Sequence, residues 1–290
     1  MGQEVGIRSF EREVWARGWG KRVGKMRSVI LLSFDVEEFD VPLEYGQTIA
    51  AQTQCEVSRQ GLEAVLALLD RLQIRATFFT TAHFALQYPH LIAAIAQTHE
   101  VASHGFYHSS FEVADLAKSK QVLENITGQP VLGYRMARLQ PVQDADIVAA
   151  GYGYNSSMNP TYLPGRYNNL GKPRSPYYSE GLLNIPVSVT PWIRFPLFWL
   201  SFKNLPLWAY QWACWVTLRR DRQINLYFHP WEFTNLHSYP LPGYIRRHSG
   251  KPMLRRLAQY LRWAKRQGQF ITFSEFHQVT FARFQIQHRE

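Results

Sequence analysis

Residues 29–40, with the sequence VILLSFDVEEFD, join an apolar run to four carboxylates within six residues. A short run of leucine and β-branched residues is typical of a buried strand, and we predict one over Val29–Phe34 that ends at Asp35. Carboxylates placed this close together repel one another unless a cation or a raised pKa relieves the repulsion. The stretch therefore indicates either a cation site at the end of a strand or a solvated acidic loop.

Beyond this strand, short apolar segments alternate with helical patterns, without a break in composition. Such alternation predicts parallel βα units, and about seven strands predict closure into a barrel, so the fold class is α/β. The predicted strands are Val29–Phe34, Ala76–Phe79, Glu100–Ser103, Leu132–Tyr134, Asn184–Val187, Ile224–Phe228 and Phe270–Phe273. The predicted helices are Gly61–Leu72, Leu91–Gln97, Phe111–Thr127, Pro141–Ala150 and Pro252–Gln267.

Polar side chains directly follow four of the predicted strands. These residues are Asp35, His104, Arg135 and His229. In barrel enzymes the carboxyl ends of the strands carry the chemistry. We therefore expect these four side chains to meet at one end of the barrel.

Two histidines in His104-Gly105-Phe106-Tyr107-His108 are separated by three residues, so that both can reach one ion. Together with the carboxylates that follow the first strand, they form a set of two histidines and one carboxylate, with a second carboxylate left over. These are the parts needed for metal-assisted hydrolysis, namely three ligands, open positions for water and a separate base.

Composition narrows the class of protein. The chain has 290 residues, of which 46% are hydrophobic, which is enough for a sizeable core. The net charge of +10 favours anionic partners, but the charges are scattered and match no nucleic-acid-binding module, so we predict no nucleic-acid partner. Cys55 and Cys214 lie far apart and indicate neither a disulfide framework nor a thiolate metal site.

The N-terminal segment lacks the apolar core of a signal peptide. We predict that residues 1–25 are a non-core extension and that residues 26–290 form one catalytic domain. A cytoplasmic location is expected on this basis. The sequence does not distinguish Met1 from Met26 as the native start.

The segment Trp192–Leu218 is rich in Trp, Phe and Leu but is interrupted by Pro196 and Pro206. It contains no uninterrupted run of the ~20 apolar residues that a spanning helix needs. We favour a buried crossover segment broken by prolines. The alternative is an exposed apolar surface that makes peripheral contact with a membrane or holds a lipid-linked substrate.

The ordered motifs resemble those of the polysaccharide deacetylases. Asp35-Val36-Glu37 is similar to the Asp-x-Glu form of that family's first motif, and His104 with His108 matches its His-x-x-x-His motif. Arg135 matches the Arg that opens the third motif, and Leu226–Glu232 is similar to the fifth, an apolar strand closing on a His. The resemblance extends in order over residues 29–276.

This resemblance implies a distorted (β/α)7 barrel resembling a TIM barrel, and hydrolytic removal of acetyl groups from N-acetylated sugars of a polysaccharide or glycoconjugate. It also implies a divalent metal ion, with zinc expected. The implied roles are Asp35 as general base, Glu37, His104 and His108 as metal ligands, Arg135 as the partner that keeps Asp35 ionised, and His229 as general acid. We further expect substrate contacts from Tyr107, Trp231 and Asn155.

The sequence departs from the family pattern in two places. Met136-Ala137-Arg138-Leu139 replaces the usual Pro and aromatic residue of the third motif. Asn155 stands where related sequences carry the Asp that orients the catalytic His, so Asp40 or Glu232 would have to take that role. Glu38 could also compete with Glu37 as a ligand.

Two other functions remain open. One is a related hydrolase that acts on a small cyclic imide or ureide, or on a lipid-linked sugar. The other is a non-catalytic module that binds a glycan or an anion. The metal content of the purified protein distinguishes the enzyme from the module.

Overall fold

The computed structural model describes residues 28–287. The predicted extension, residues 1–25, and the predicted domain start at Met26 lie outside the described residues. The strands are β1 (Ser28–Val36), β2 (Thr77–Thr80), β3 (Glu100–Ser103), β4 (Gly133–Tyr134), β5 (Tyr154–Asn155), β6 (Tyr162–Leu163), β7 (Tyr167–Asn168), β8 (Tyr177–Ser179), β9 (Leu182–Asn184), β10 (Gln223–Phe228) and β11 (Gly268–Ile271).

Helices occupy most of the connections. They are α1 (Val41–Glu44), α2 (Ala51–Leu72), α3 (Ala82–Gln87), α4 (Pro89–Ile95), α5 (Ala114–Thr127), α6 (Asp144–Ala149), α7 (Trp199–Asn204), α8 (Leu207–Asp221), α9 (Gly243–Arg246), α10 (Lys251–Gln267) and α11 (Phe273–Gln287). Two 3₁₀ turns, Ala137–Leu139 and Pro230–Phe233, follow β4 and β10.

The main sheet follows the order β10-β1-β2-β3-β4-β5-β9-β8, in which only the β8–β9 pair is antiparallel. β10 pairs with β1 over Val29–Phe34. On its other side β1 pairs first with β11, over Ser28–Leu31, and then with β2, over Ser33–Val36. The predicted α/β class and the curled, distorted barrel are confirmed.

β1 is buried on both faces, which explains why its sequence is continuously apolar. Ile30, Leu32 and Phe34 belong to the large core beneath the helices, whereas Leu31 packs inside the sheet with residues such as Phe79. Because side chains alternate between the two faces of a strand, Ser33, Asp35 and Glu37 share the inner side with Leu31. The two carboxylates therefore lie inside the barrel, at its carboxyl end.

Three element predictions need correction. α2 begins at Ala51, ten residues before the predicted start. The strand predicted over Asn184–Val187 is observed at Leu182–Asn184, since Pro186 has no N–H to donate to a ladder. The last strand is Gly268–Ile271, and Phe273 already belongs to α11.

The segment Trp192–Leu218 contains two helices, α7 and α8, that pack only part of their surface into the core. Phe202, Tyr210 and Cys214 are buried, but Trp192 and Trp208 are exposed. The predicted crossover is therefore buried on one side only. No helix within residues 28–287 has the length and apolar character needed to cross a membrane.

The contact of α2 with the 3₁₀ turn after β10 depends on Gly61. A Cβ at this position would lie 1.8 Å from the carbonyl oxygen of Pro230, a backbone atom. We expect Gly61→Ala to destabilise the protein by about 1–3 kcal/mol, although Ala has the higher helix propensity, because the overpacked turn must shift. Urea unfolding measures the change.

Gly243→Ala is the matched control, because a Cβ there meets no atom within 4 Å. Equal stability of the two variants would show that the turn moves without cost.

Candidate active site

Glu37, His104 and His108 converge at the carboxyl end of the barrel. Oε2 of Glu37 lies 3.1 Å from Nε2 of His104 and 3.0 Å from Nε2 of His108. The three ligand atoms lie within 4.8 Å of one another, and all three side chains are almost fully buried. A tetrahedral zinc ion with bonds of about 2.0–2.2 Å requires ligand atoms roughly this far apart.

Each of these side chains has a second contact that orients it. Nδ1 of His104 donates to the carbonyl oxygen of Arg135 at 2.8 Å, which leaves Nε2 free to act as a ligand. Nδ1 of His108 lies 2.9 Å from Oδ2 of Asp40. The indole N–H of Trp231 donates to Oε1 of Glu37 at 3.1 Å, and Oε2 faces His104 and His108. Backing of this kind is typical of metal ligands, and the residues present therefore fit a divalent ion.

Electrostatic attraction between Glu37 and the neighbouring histidines shifts the pKa values of Glu37 and His108. Burial raises the pKa of Glu37, but the charges of His108 and His229 and the hydrogen bond from His104 outweigh it and lower this pKa. Burial lowers the pKa of His108, but Glu37 and Asp40 raise it to about 9. The carboxylate is thus ionised, and a bound cation would displace a proton from His108.

Asp35 and Arg135 form a buried ion pair beside these residues. Nη1 of Arg135 lies 2.6 Å from Oδ1 of Asp35 and 2.9 Å from Oγ of Ser33. The remaining guanidinium donors bond to the carbonyl and hydroxyl oxygens of Ser156, and the guanidinium carbon lies 4.0 Å from the ring centroid of Phe79. Because every donor group is engaged, the position of Arg135 and hence that of Asp35 is fixed.

His229 follows β10 and reaches the same centre from the opposite side of β1. Its Nε2 lies 3.9 Å from Oε1 of Glu37, and its Nδ1 lies 3.2 Å from Oε1 of Glu232. Burial lowers the pKa of His229, but Glu37, Glu232 and Asp35 together raise it above its usual value. Glu232 therefore orients His229, the role that the sequence left to Glu232 or Asp40.

Glu232 has a further partner that sequence analysis missed. Nζ of Lys203, in α7, lies 3.3 Å from Oε2 of Glu232 and donates to the carbonyl oxygen of Ile245 at 2.9 Å. Neither charged side chain is exposed. Burial lowers the pKa of Lys203, and Glu232 counteracts this effect. Lys203 is the one charged residue of α7, and this was the signal that could have identified it.

Two tryptophans enclose the imidazole of His229. Trp231 stacks on it with ring centroids 4.9 Å apart, and Trp199 meets it edge-on at 5.2 Å. Trp231 is only 1% exposed and contacts both Glu37 and His229, and its contact with substrate stays a prediction. The imidazole therefore has one edge directed at the centre and one at Glu232.

The other predicted substrate residues lie in different settings. Tyr107 is 42% exposed and packs beside His83. Asn155 is buried, donates to Oδ1 of Asn184 at 3.0 Å and accepts from Ser157. Within the described residues, Asn155 makes no hydrogen bond to His229, so its amide leaves the orientation of that residue unaffected.

The acidic residues after β1 are divided among different partners. Glu38 accepts from Thr81 at 3.1 Å and faces His83 at 2.6 Å, so it does not compete with Glu37. Arg138, in the altered third motif, adopts a positive φ of 56° and donates to Oδ2 of Asp40 at 2.8 Å. Sequence analysis missed this contact. Through it, Arg138 of the altered third motif holds Asp40, the carboxylate that contacts His108.

Comparison with solved structures agrees with the fold. Among solved structures, the fold is similar to that of a protein described as a polysaccharide deacetylase from Mycobacterium smegmatis, with 17% identity, a TM-score of 0.64 and coverage of 90% of this chain and 92% of that one. It is also similar to Puue allantoinase, with 15% identity, a TM-score of 0.62 and coverage of 88% and 91%. A third similar structure is that of a protein from Pseudomonas aeruginosa PAO1 described as a polysaccharide deacetylase. Its identity to this chain is 15% and its TM-score is 0.61, with coverage of 86% of this chain and 89% of that one.

No curated protein matches the chain in sequence. A family model does: residues 26–156 match that of the polysaccharide deacetylases. The matched span contains Asp35, Glu37, both histidines of the His-x-x-x-His motif and Arg135, whereas His229 lies beyond it. The family resemblance inferred from the motifs is thus confirmed over residues 26–156, which match the polysaccharide deacetylase family model.

Proposed function

We propose that the protein is a metal-dependent hydrolase that removes acetyl groups from N-acetylated sugars of a glycan, with residues 26–290 as the catalytic domain. The observation that carries this proposal is the convergence of Glu37, His104 and His108, with Asp35 and His229 beside them. A module that only binds a glycan does not need three metal ligands oriented by hydrogen bonds, with a separate base and a separate acid beside them.

Glu37, His104 and His108 would hold the ion. A divalent ion such as zinc supplies Lewis acidity for the acetyl carbonyl and makes a water molecule more acidic. The remaining chemistry is carried by proton transfers at this chain's own residues.

Asp35 is the proposed general base. Its Oδ1 is held by Arg135, so that its orientation towards the centre does not depend on substrate. Its other oxygen accepts the proton of the attacking water. The register places Asp35 one residue beyond the Phe34–Phe228 pair, next to His229 across the sheet. Base and acid thus come from neighbouring strands and act on different atoms of one reacting amide.

His229 is the proposed general acid. The neighbouring carboxylates raise its pKa and favour the protonated ring that an acid requires. Glu232 accepts from Nδ1, so that Nε2 is the atom that gives its proton to the leaving amine. An amine is a poor leaving group without this proton.

The test is acetate release from an N-acetylglucosamine oligosaccharide, with the metal content measured on the same preparation. We expect about one zinc-like ion per chain. Asp35→Asn and His229→Ala should each lower turnover by about 10²–10⁴-fold while the metal stays bound. A parent protein that binds no metal would favour the non-catalytic module. If the parent protein binds the metal but releases acetate from no N-acetylated sugar, only a small cyclic amide or a lipid-linked sugar would remain as the substrate.

A further inference from the structure

An aromatic surface lies on the outer side of the barrel, formed by α8 and the loop before α7. Trp208, Trp212 and Trp215 follow one another at helical spacing and are 74%, 64% and 40% exposed. The adjacent loop adds Trp192 and Ile193, which are 76% and 80% exposed. The opposite side of α8 is buried in the core, so these tryptophans are not needed for its packing. We call these five residues the tryptophan surface.

Two arginines of α8 lie over tryptophans of this surface, and one of them joins its two parts. The guanidinium carbon of Arg219 lies 5.4 Å from the ring centroid of Trp215, and that of Arg220 lies 5.4 Å from the ring centroid of Trp192. The sequence contains no Asp or Glu between Pro191 and Arg220, and Asp221 is paired with Arg174. The surface is therefore both aromatic and cationic.

The loop holds its side chains outward at a conformational cost. Trp192 and Arg194 both adopt positive φ values, 61° and 52°, which are disfavoured for residues other than glycine. The loop is closed by the bond from the N–H of Thr190 to the carbonyl oxygen of Phe195 at 2.8 Å. Its tip thus presents Trp192 and Ile193 to solvent, although both would be more stable in an apolar setting.

We propose that the tryptophan surface docks the protein on a membrane that contains anionic lipids. Tryptophan is the side chain preferred at the boundary between headgroups and acyl chains, and each nearby arginine is attracted to anionic headgroups. A second copy of this chain fits less well, because a two-fold contact would place the arginines of both copies in one interface that contains no carboxylate from residues 191–220.

This docking is separate from hydrolysis. Among the described residues, the five side chains of the tryptophan surface contact none of the proposed ligands, base or acid. Variants of the surface should therefore hydrolyse a soluble substrate as fast as the parent. Loss of membrane binding and loss of catalysis can then be told apart.

The experiment is co-sedimentation of the full chain with vesicles of phosphatidylcholine containing about 30% phosphatidylglycerol. The parent should bind these vesicles and bind pure phosphatidylcholine more weakly. Arg219→Gln with Arg220→Gln should weaken binding by about 25-fold, since each arginine near the surface contributes about fivefold. Trp208→Ser with Trp212→Ser should weaken it by at least about tenfold.

The matched control is Leu86→Ser with Val113→Ser, which removes two exposed apolar side chains elsewhere, 51% and 55% exposed. It should bind vesicles like the parent. Failure of the parent to bind either vesicle, or binding that is equal in the tryptophan variant and the parent, would overturn the proposal. So would a parent dimer in sedimentation that the tryptophan variant converts to monomer without changing vesicle binding.

Discussion

Replacing His104 with Ala should abolish metal binding and hydrolysis together. The substitution removes one of three ligand atoms, and the ion would keep only Glu37 and His108 from the protein. Loss of a backing partner alone lowers metal affinity by about 10–100-fold, so loss of a ligand should lower it by more than about 100-fold. Metal content by mass spectrometry and acetate release on the same samples measure the two effects.

His90→Ala is the control for this substitution, because His90 is exposed on α4. It should keep both the metal and the activity of the parent. Asp40→Asn should give an intermediate affinity, since it weakens only the contact behind His108. If the His104 variant retains a full complement of metal, these three residues are not the ligand set.

Replacing Glu232 with Gln should lower both stability and turnover. Lys203 would lose its only described carboxylate partner while remaining buried, and breaking a buried ion pair in this way costs about 3–5 kcal/mol. His229 would lose the group that orients Nδ1, so turnover should fall by about 10²–10⁴-fold. Urea unfolding and acetate release measure the two losses.

A double variant, Glu232→Gln with Lys203→Met, separates stability from catalysis. It removes both charges, so most of the lost stability should return, whereas turnover should stay low because His229 still lacks a carboxylate. Glu232 also contributes to raising the pKa of His229. Removing Glu232 should therefore lower the pKa of His229. Because a general acid must be protonated, the alkaline limb of the pH–activity profile should lie at lower pH in the double variant than in the parent. If the double variant recovers full turnover, Glu232 does not position His229.

The sequence predicts most of the fold because local patterns determine it. β3 is observed at Glu100–Ser103, as predicted, and α5 ends at Thr127, also as predicted, because the next residue, Gly128, adopts a left-handed conformation with φ of 66°. Where prediction failed, distant partners determined the structure. α2 extends back to Ala51 through a stretch with few apolar residues, and its start depends on tertiary contacts such as the bond from the N–H of Phe39 to the carbonyl oxygen of Gln54.

The same distinction holds for the candidate site. Asp35, Glu37, His104 and His108 stand in short motifs, so their spacing together with the family resemblance identified them. Lys203 lies 29 residues before Glu232 in the sequence, and no motif links the two. Their pairing depends on how α7 packs against the turn after β10. Likewise, the contact of Arg138 with Asp40 depends on a positive φ that the residue type does not predict.

The arrangement of strands around β1 has a consequence for synthesis of the protein. β1 leaves the ribosome first among the described strands, but two of its neighbours, β10 and β11, begin at Gln223 and Gly268, 187 and 232 residues after Val36. At about 5–20 residues per second, β1 waits roughly 10–45 s for its last neighbour. During this time its apolar residues and unpaired backbone groups are open to other nascent chains. Yield in the cell should therefore depend on chaperones that shield an N-terminal strand until the C-terminal end of the chain is made.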